Sequence, residues 1–136
     1  ILLWSTGLKP VEVNCRLDHR GCAVEIDSST SVRFENGTIA SISVMGHAAT
    51  WHERHVLAFD DALVAWTDGV VEIQQRGKDK EQLSEWPNPT TPDENFYKAI
   101  RGEAEVLAPF ECGRDVVLLT QACYESANSG GTTVRF

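Results

Sequence analysis

Two dipeptides, Asn36-Gly37 and Asp68-Gly69, constrain this chain more than any other feature. Each stands between segments that alternate apolar and polar residues. Asn-Gly and Asp-Gly suit two-residue hairpin turns, because both positions tolerate the positive φ of a type I′ turn. A turn that short joins only antiparallel neighbours. The stretch from Val11 to Leu83 therefore reads as consecutive antiparallel strands. Asn36-Gly37-Thr38 also matches a glycosylation sequon, but the flanking alternation demands a turn there.

The strands follow in order. Val11, Val13, Cys15 and Leu17 alternate with Glu12, Asn14 and Arg16, a period of two. Asp18 to Gly21 is a turn. Cys22 to Asp27 predicts a second strand, weakened or bulged at Asp27-Ser28-Ser29. Val32 and Phe34 begin a third. Thr38 to Met45 sets Ala40, Ile42 and Val44 on one side and Ile39, Ser41 and Ser43 on the other. Gly46 to Trp51 is a loop of small residues. His52 to Asp60, Ala62 to Thr67 and Val70 to Arg76 are further strands, with turns at Asp60-Asp61 and Asp68-Gly69. The total is six or seven.

The chain then changes character. Gly77 to Thr91 reads as an extended connection containing Pro87 and Pro89. Thr91-Pro92-Asp93-Glu94 is a compact helix start: a capping threonine, proline at the first helical position, and a glutamate that closes a capping box. Phe96, Ala99 and Ile100 follow at helical spacing, and Gly102 stops the helix. A second helix is expected from Cys112 to Asn128, with Val116, Leu119, Cys123 and Ala127 as its buried stripe. Gly130-Gly131 ends it, and Thr133 to Phe136 returns as a strand. Strands followed by segregated helices give an α+β class: one largely antiparallel open sheet with helices on one face. The other face is left for solvent or a partner, and association through it is expected, because an uncovered apolar face seeks cover.

At 136 residues, the chain fits one domain. Its net charge of −8 offers no basic patch for a phosphate backbone, which argues against nucleic acid and anionic membranes as partners. No apolar run reaches the length of a membrane span. Cys15, Cys22, Cys112 and Cys123 form no C-x-x-C pair, so reduced thiols and a cytoplasmic setting are expected. Ile1 to Thr6 reads as the end of a helix, with a stop at Gly7 and no capping start. That asymmetry suggests a chain cut in mid-helix.

Chemistry-bearing motifs are sparse. There is no G-x-G-x-x-G, no P-loop and no G-x-S-x-G elbow. His47, His52 and His55 cluster in sequence, with Glu53 among them. On a strand His52 and His55 point to opposite faces, which argues against a metal. Trp51, His52 and His55 fit better as contacts to a hydroxylated ring, through stacking and hydrogen bonds; the plain alternative is a solvated loop. Asp60-Asp61 reads as a turn, and Tyr124 as a packed residue with its hydroxyl at the surface. No residue is assigned a catalytic, cofactor-binding or metal-binding role.

The order of motifs at the end of the chain carries a resemblance. Asn95-Phe96-Tyr97-Lys98-Ala99-Ile100-Arg101-Gly102, Ala108-Pro109, Gly113-Arg114, Ala122-Cys123-Tyr124-Glu125-Ser126-Ala127 and Gly130-Gly131 before a strand resemble the C-terminal domain of the Gfo/Idh/MocA oxidoreductases. Leu2-Leu3-Trp4-Ser5-Thr6-Gly7 with Pro10-Val11-Glu12-Val13 is similar to the helix and first strand after that family's active-site helix. Phe34-Glu35-Asn36-Gly37-Thr38 is similar to its mid-sheet hairpin. The resemblance implies a substrate and dimerisation domain of an NAD(P)-dependent enzyme acting on a sugar or polyol. The dinucleotide would sit on a separate Rossmann domain, with none bound by residues 1–136. The family's E-K-P and D-x-G-x-H motifs do not occur, so the resemblance implies no activity for this stretch alone. Phe59-Asp60-Asp61-Ala62 departs from the family's Gly-x-x-Gly and puts the register of the middle strands in question. A stand-alone binding or assembly module that uses the free sheet face is the competing reading.

Overall fold

The computed structural model describes residues 1–83, 85 and 90–136. The class is α+β and every strand pairing is antiparallel. A short helix α1 (Leu2–Thr6) precedes β1 (Pro10–Asp18), β2 (Asp27–Phe34) and β3 (Ile39–Met45). Then come β4 (Arg54–Ala58), β5 (Ala62–Thr67), β6 (Val70–Gln75) and β7 (Glu81–Leu83). The helices α2 (Pro92–Ile100) and α3 (Phe110–Asn128) follow, and β8 (Val134–Arg135) closes the chain. Pro87 and Pro89 of the expected connection lie outside the described residues.

Hydrogen bonding divides the strands into two four-stranded sheets, ordered β3-β2-β1-β8 and β4-β5-β6-β7. The sequence pattern suggests one sheet, because nothing local distinguishes the β3–β4 loop from a ladder connection. The second strand also differs from expectation. Cys22 to Ile26 form no strand, and β2 is the expected third strand, begun earlier at Asp27. Strand β2 is flanked on both sides, by Asp18 to Pro10 of β1 and by Met45 to Ile39 of β3. Its serines are tolerated because alternation still sends Thr30, Val32 and Phe34 inward, where all three are buried.

The core lies on the inner face of the first sheet. Leu3, Val13, Val32, Phe34 and Ala122 form it, and Ile42, Leu119, Cys123 and Val134 pack around them. Complete burial of Val13, Val32 and Phe34 contributes about 1.5–3 kcal/mol each. Helix α3 lies on β1 and β8, and α1 lies on α3. Gly7 ends α1 in the left-handed region, φ 65°, with its N–H on the Leu3 carbonyl. Thr91 caps α2 as expected, its hydroxyl accepting the Glu94 N–H at 3.1 Å.

Helix α2 is rotated from the sequence reading, and α3 departs from it at Val116. In α3 the expected Leu119, Cys123 and Ala127 lie on the inward side with Cys112, Asp115, Ala122 and Ser126, while Val116 is exposed with Val117 and Leu118. In α2 the buried residue is Asn95, and Phe96 and Ile100 are 69% and 70% exposed. Polar anchors explain both. The Asn95 amide donates to the Glu105 carbonyl at 2.9 Å and accepts the Leu107 N–H at 3.1 Å. The Trp4 indole donates to the Leu107 carbonyl at 2.6 Å. Those bonds clamp the α2–α3 connection.

Ser126 is fully buried in α3. Its hydroxyl accepts the Cys15 N–H at 2.9 Å and donates to the Thr132 carbonyl at 2.6 Å. Strand β8 pairs only with Glu12 and Val13, so Ser126 satisfies the β1 edge where β8 has ended. Close by, the Asn14 amide donates to the Gly131 carbonyl. A Cβ on Gly131 would meet Arg16 Nε at 2.6 Å, and its φ of 82° also requires glycine. Replacing Ser126 by alanine strands a buried donor and removes the bond to Thr132. The Ser126→Ala protein is expected to lose about 1–3 kcal/mol in urea unfolding at unchanged m-value; unchanged stability would contradict this role.

Candidate functional site

The second sheet carries the residues singled out in the sequence. Alternation gives it two unlike faces. His55, Leu57, Val64, Trp66, Val71 and Ile73 share one, each half-buried. Arg54, Val56, Ala65, Thr67, Val70 and Glu72 share the other.

The three predicted contacts are not brought together. Trp51 sits in the loop before β4, 87% exposed. His52 lies on the side of Arg54, with Nδ1 2.9 Å from Asp68 Oδ2. A carboxylate only accepts, so Nδ1 donates, and Nε2 has no side-chain partner among the described residues. His55 lies on the opposite face, its Nε2 3.0 Å from Glu53 Oε1 and its ring 5.3 Å from that of Trp66. The parity argument from the sequence thus separates the two histidines correctly.

Asp68 fixes the entry to β4. It stands at φ 47° in the hairpin turn, followed by Gly69 at φ 91°. Its second carboxylate oxygen accepts the Glu53 N–H at 2.8 Å. That backbone bond, and then His52, hold the Asp68 carboxyl below the usual carboxylate range. His52 together with Arg54, Thr67, Val70, Glu72 and Gln82 lines a groove of about 410 Å³. Lys80 holds Glu72 in it at 2.6 Å.

A second polar cluster escapes sequence reasoning. Asp27 Oδ1 lies 2.7 Å from His47 Nδ1, and Asp27 Oδ2 accepts Arg20 Nε–H at 2.6 Å. Arg20 stands at φ 51°, its N–H on Asp18 Oδ1 at 2.7 Å. Gly46 makes the approach possible, because a Cβ there would lie 2.7 Å from the Ile26 carbonyl oxygen. The available signal was that glycine beside a histidine. The Asp27 carboxyl is held below its usual range first by His47 and then by Arg20. Tyr124 donates from its hydroxyl to Glu25 in the same region.

Neither cluster resembles a catalytic constellation. Among the described residues no three His, Cys, Asp or Glu side chains converge as a metal site would require. All four cysteines are free thiols. Burial, and then Cys15, push the Cys123 thiol up to about 11, which makes it a poor nucleophile at neutral pH. A pyrophosphate needs a glycine-rich turn into a helix N-terminus. Helices α2 and α3 open with Thr91-Pro92 and Pro109-Phe110 instead, so these residues do not fit a dinucleotide. No described helix is long and apolar enough to cross a membrane.

No family model matches this sequence, and no curated protein does. Solved structures do. A UDP-N-acetylglucosamine 3-dehydrogenase from Acidithiobacillus ferrooxidans superposes with a TM-score of 0.83 at 18% identity, over 93% of this chain and 43% of that one. An aldose-aldose oxidoreductase from Caulobacter crescentus gives 0.79 at 18%, over 99% and 44%. An inositol dehydrogenase homolog from Azotobacter vinelandii, solved with NAD+, gives 0.74 at 15%, over 96% and 44%. The chain has the fold of the C-terminal domain of Gfo/Idh/MocA-type oxidoreductases. It spans less than half the length of the enzymes it matches. The C-terminal-domain fold places α3 on the first sheet and leaves the second sheet without a helix packed on it among the described residues.

Asp27 supplies a pH test. A carboxyl whose folded pKa is depressed stabilises the fold above its unfolded pKa, and that contribution is lost as pH falls through the folded value. Asp27→Asn is therefore expected to lower the thermal midpoint at pH 7, and the difference from the unaltered protein should shrink as pH drops below about 4. An equal difference at both pH values would show that ionisation of Asp27 is not involved.

Proposed function

We propose that this chain is the C-terminal substrate and dimerisation domain of an NAD(P)-dependent oxidoreductase of the Gfo/Idh/MocA family, acting on a sugar, polyol or related hydroxylated substrate. One observation carries the proposal. Between 93% and 99% of the chain superposes on oxidoreductases of sugars and an inositol dehydrogenase homolog, yet it accounts for only 43–44% of each. The ordered terminal motifs support the same assignment independently of the superposition. The dinucleotide and the hydride-transfer residues would belong to the rest of a longer protein, in keeping with the absence of a pyrophosphate turn from this sequence. Residues 1–136 would supply substrate contacts from the β4 edge, with Trp51, His52 and His55 as candidates, and would be inactive alone. The opposite positions of His52 and His55 mean that one substrate molecule does not meet both.

The same reading gives a cytoplasmic protein that self-associates through an uncovered sheet face. The two sheets differ in what they offer. The first exposes Asn14, Ser31, Arg33 and Ser41 together with Ile39, a mostly polar surface. The second offers the apolar face of Leu57, Val64, Trp66, Val71 and Ile73, which supports the second sheet as the contact between copies.

The reading frame that precedes Ile1 tests the proposal. It is expected to encode a strand, a G-x-G-x-x-G turn and a helix, and the whole protein is expected to reduce NAD(P)+ with a sugar or polyol and to sediment as at least a dimer. A frame without the glycine motif would overturn the assignment, and a clean monomer at high concentration would overturn the association.

A further inference from the structure

We propose that the groove on the open face of the second sheet is a binding site for a small hydroxylated anion of the sugar-acid type. It is lined by His52, Arg54, Thr67, Val70, Glu72 and Gln82 around about 410 Å³. That volume falls within the roughly 300–1,000 Å³ of small-molecule sites. Each of β4, β5, β6 and β7 contributes to it. The register builds two rows: Arg54 opposite Thr67 opposite Val70, and Glu72 opposite Gln82 one step along.

The hydrogen-bonding capacity of this groove is largely unused. Arg20, Arg33, Arg76 and Arg135 each hold a carboxylate of the chain. Arg54, like Arg16, holds none among the described residues, although acids outnumber bases 20 to 12. The Thr67 hydroxyl and the Gln82 amide also have no side-chain partner among the described residues. Two further groups are fixed rather than consumed. Lys80 orients Glu72 at 2.6 Å, and Asp68 orients His52 at 2.9 Å through Nδ1, with no side-chain partner on Nε2 among the described residues.

That combination selects a ligand class. A guanidinium presents a planar fork that matches a carboxylate with two parallel bonds. A fixed carboxylate, an amide, a hydroxyl and an imidazole nitrogen mix acceptors with donors, as a chain of hydroxyls requires. Val70 supplies an apolar floor for the C–H side of a ring. Arg54 takes the carboxylate, and the Glu72–Gln82 row takes hydroxyls. His52 is shared with the substrate contacts proposed above. Occupancy of the groove requires neither cofactor nor turnover, so a failure here leaves the oxidoreductase assignment standing.

Two-dimensional NMR of the 136-residue protein, titrated separately with glucuronate and glucose, tests the site. Glucuronate is expected to give saturable shifts at Arg54, Thr67, Glu72 and Gln82, with glucose at least about tenfold weaker. Arg54→Gln should weaken glucuronate binding by about tenfold or more, the scale of one lost charge-assisted bond. Arg76→Gln, on a turn outside the groove, should leave it unchanged. Equal shifts with both sugars, no saturable shift with glucuronate, or equal weakening by Arg54→Gln and Arg76→Gln would overturn the proposal.

Discussion

The fold depends on one hydroxyl. Strand β8 contributes two residues to the first sheet and then ends, leaving the edge of β1 without a strand at Cys15. A buried N–H without a partner there would cost about 1–3 kcal/mol. Ser126 fills the gap from the helix side and passes a second bond to the Thr132 carbonyl. Helix, central strand and returning strand are thereby fixed to one another at a single residue. Serine is an indifferent helix former, so its place inside α3 reflects tertiary demand rather than local preference. The inward side of α3 follows from it. With Ser126 inward, the residues four and seven before it, Ala122 and Leu119, meet the sheet, and Val116 to Leu118 turn away.

The second sheet rests on a different principle. Among the described residues its principal contacts are with its own strands, so it is held by backbone ladders and cross-strand pairs. Its two faces are free to specialise. One is aliphatic and aromatic and suits a protein surface. The other carries Arg54, which holds no carboxylate among the described residues, and the oriented glutamate and histidine.

Local chemistry was legible in the sequence, and long-range chemistry was not. The turn at Asp68-Gly69, the Thr91 cap with Pro92 and the Gly7 stop each depend on adjacent residues, and each is present; a turn also stands at Asn36-Gly37, but only Gly37 takes a positive φ there, so it is not type I′. The start of β2 was misplaced because its serines look unlike a strand until β1 and β3 are set on either side. The face of α2 was misread, and Val116 was wrongly set on the buried stripe of α3 beside the correctly placed Leu119, Cys123 and Ala127, because apolar periodicity ignores the buried amide of Asn95 and hydroxyl of Ser126, whose partners lie up to 111 positions away. The site divided in the same way. His52 and His55 could be assigned to opposite faces from parity alone. Arg54, Thr67, Glu72 and Gln82 meet only through the register of four strands, and Asp27, His47 and Arg20 only through two loops packed at Gly46.

The most direct measurement of the central claim is the hydrogen-exchange rate of the Cys15 amide. If Ser126 closes the β1 edge, that amide exchanges as slowly as the protected ladder amides of Val13 and Val32, because only global unfolding exposes it. Exchange as fast as in the exposed loop from Gly46 to Trp51 would contradict the account.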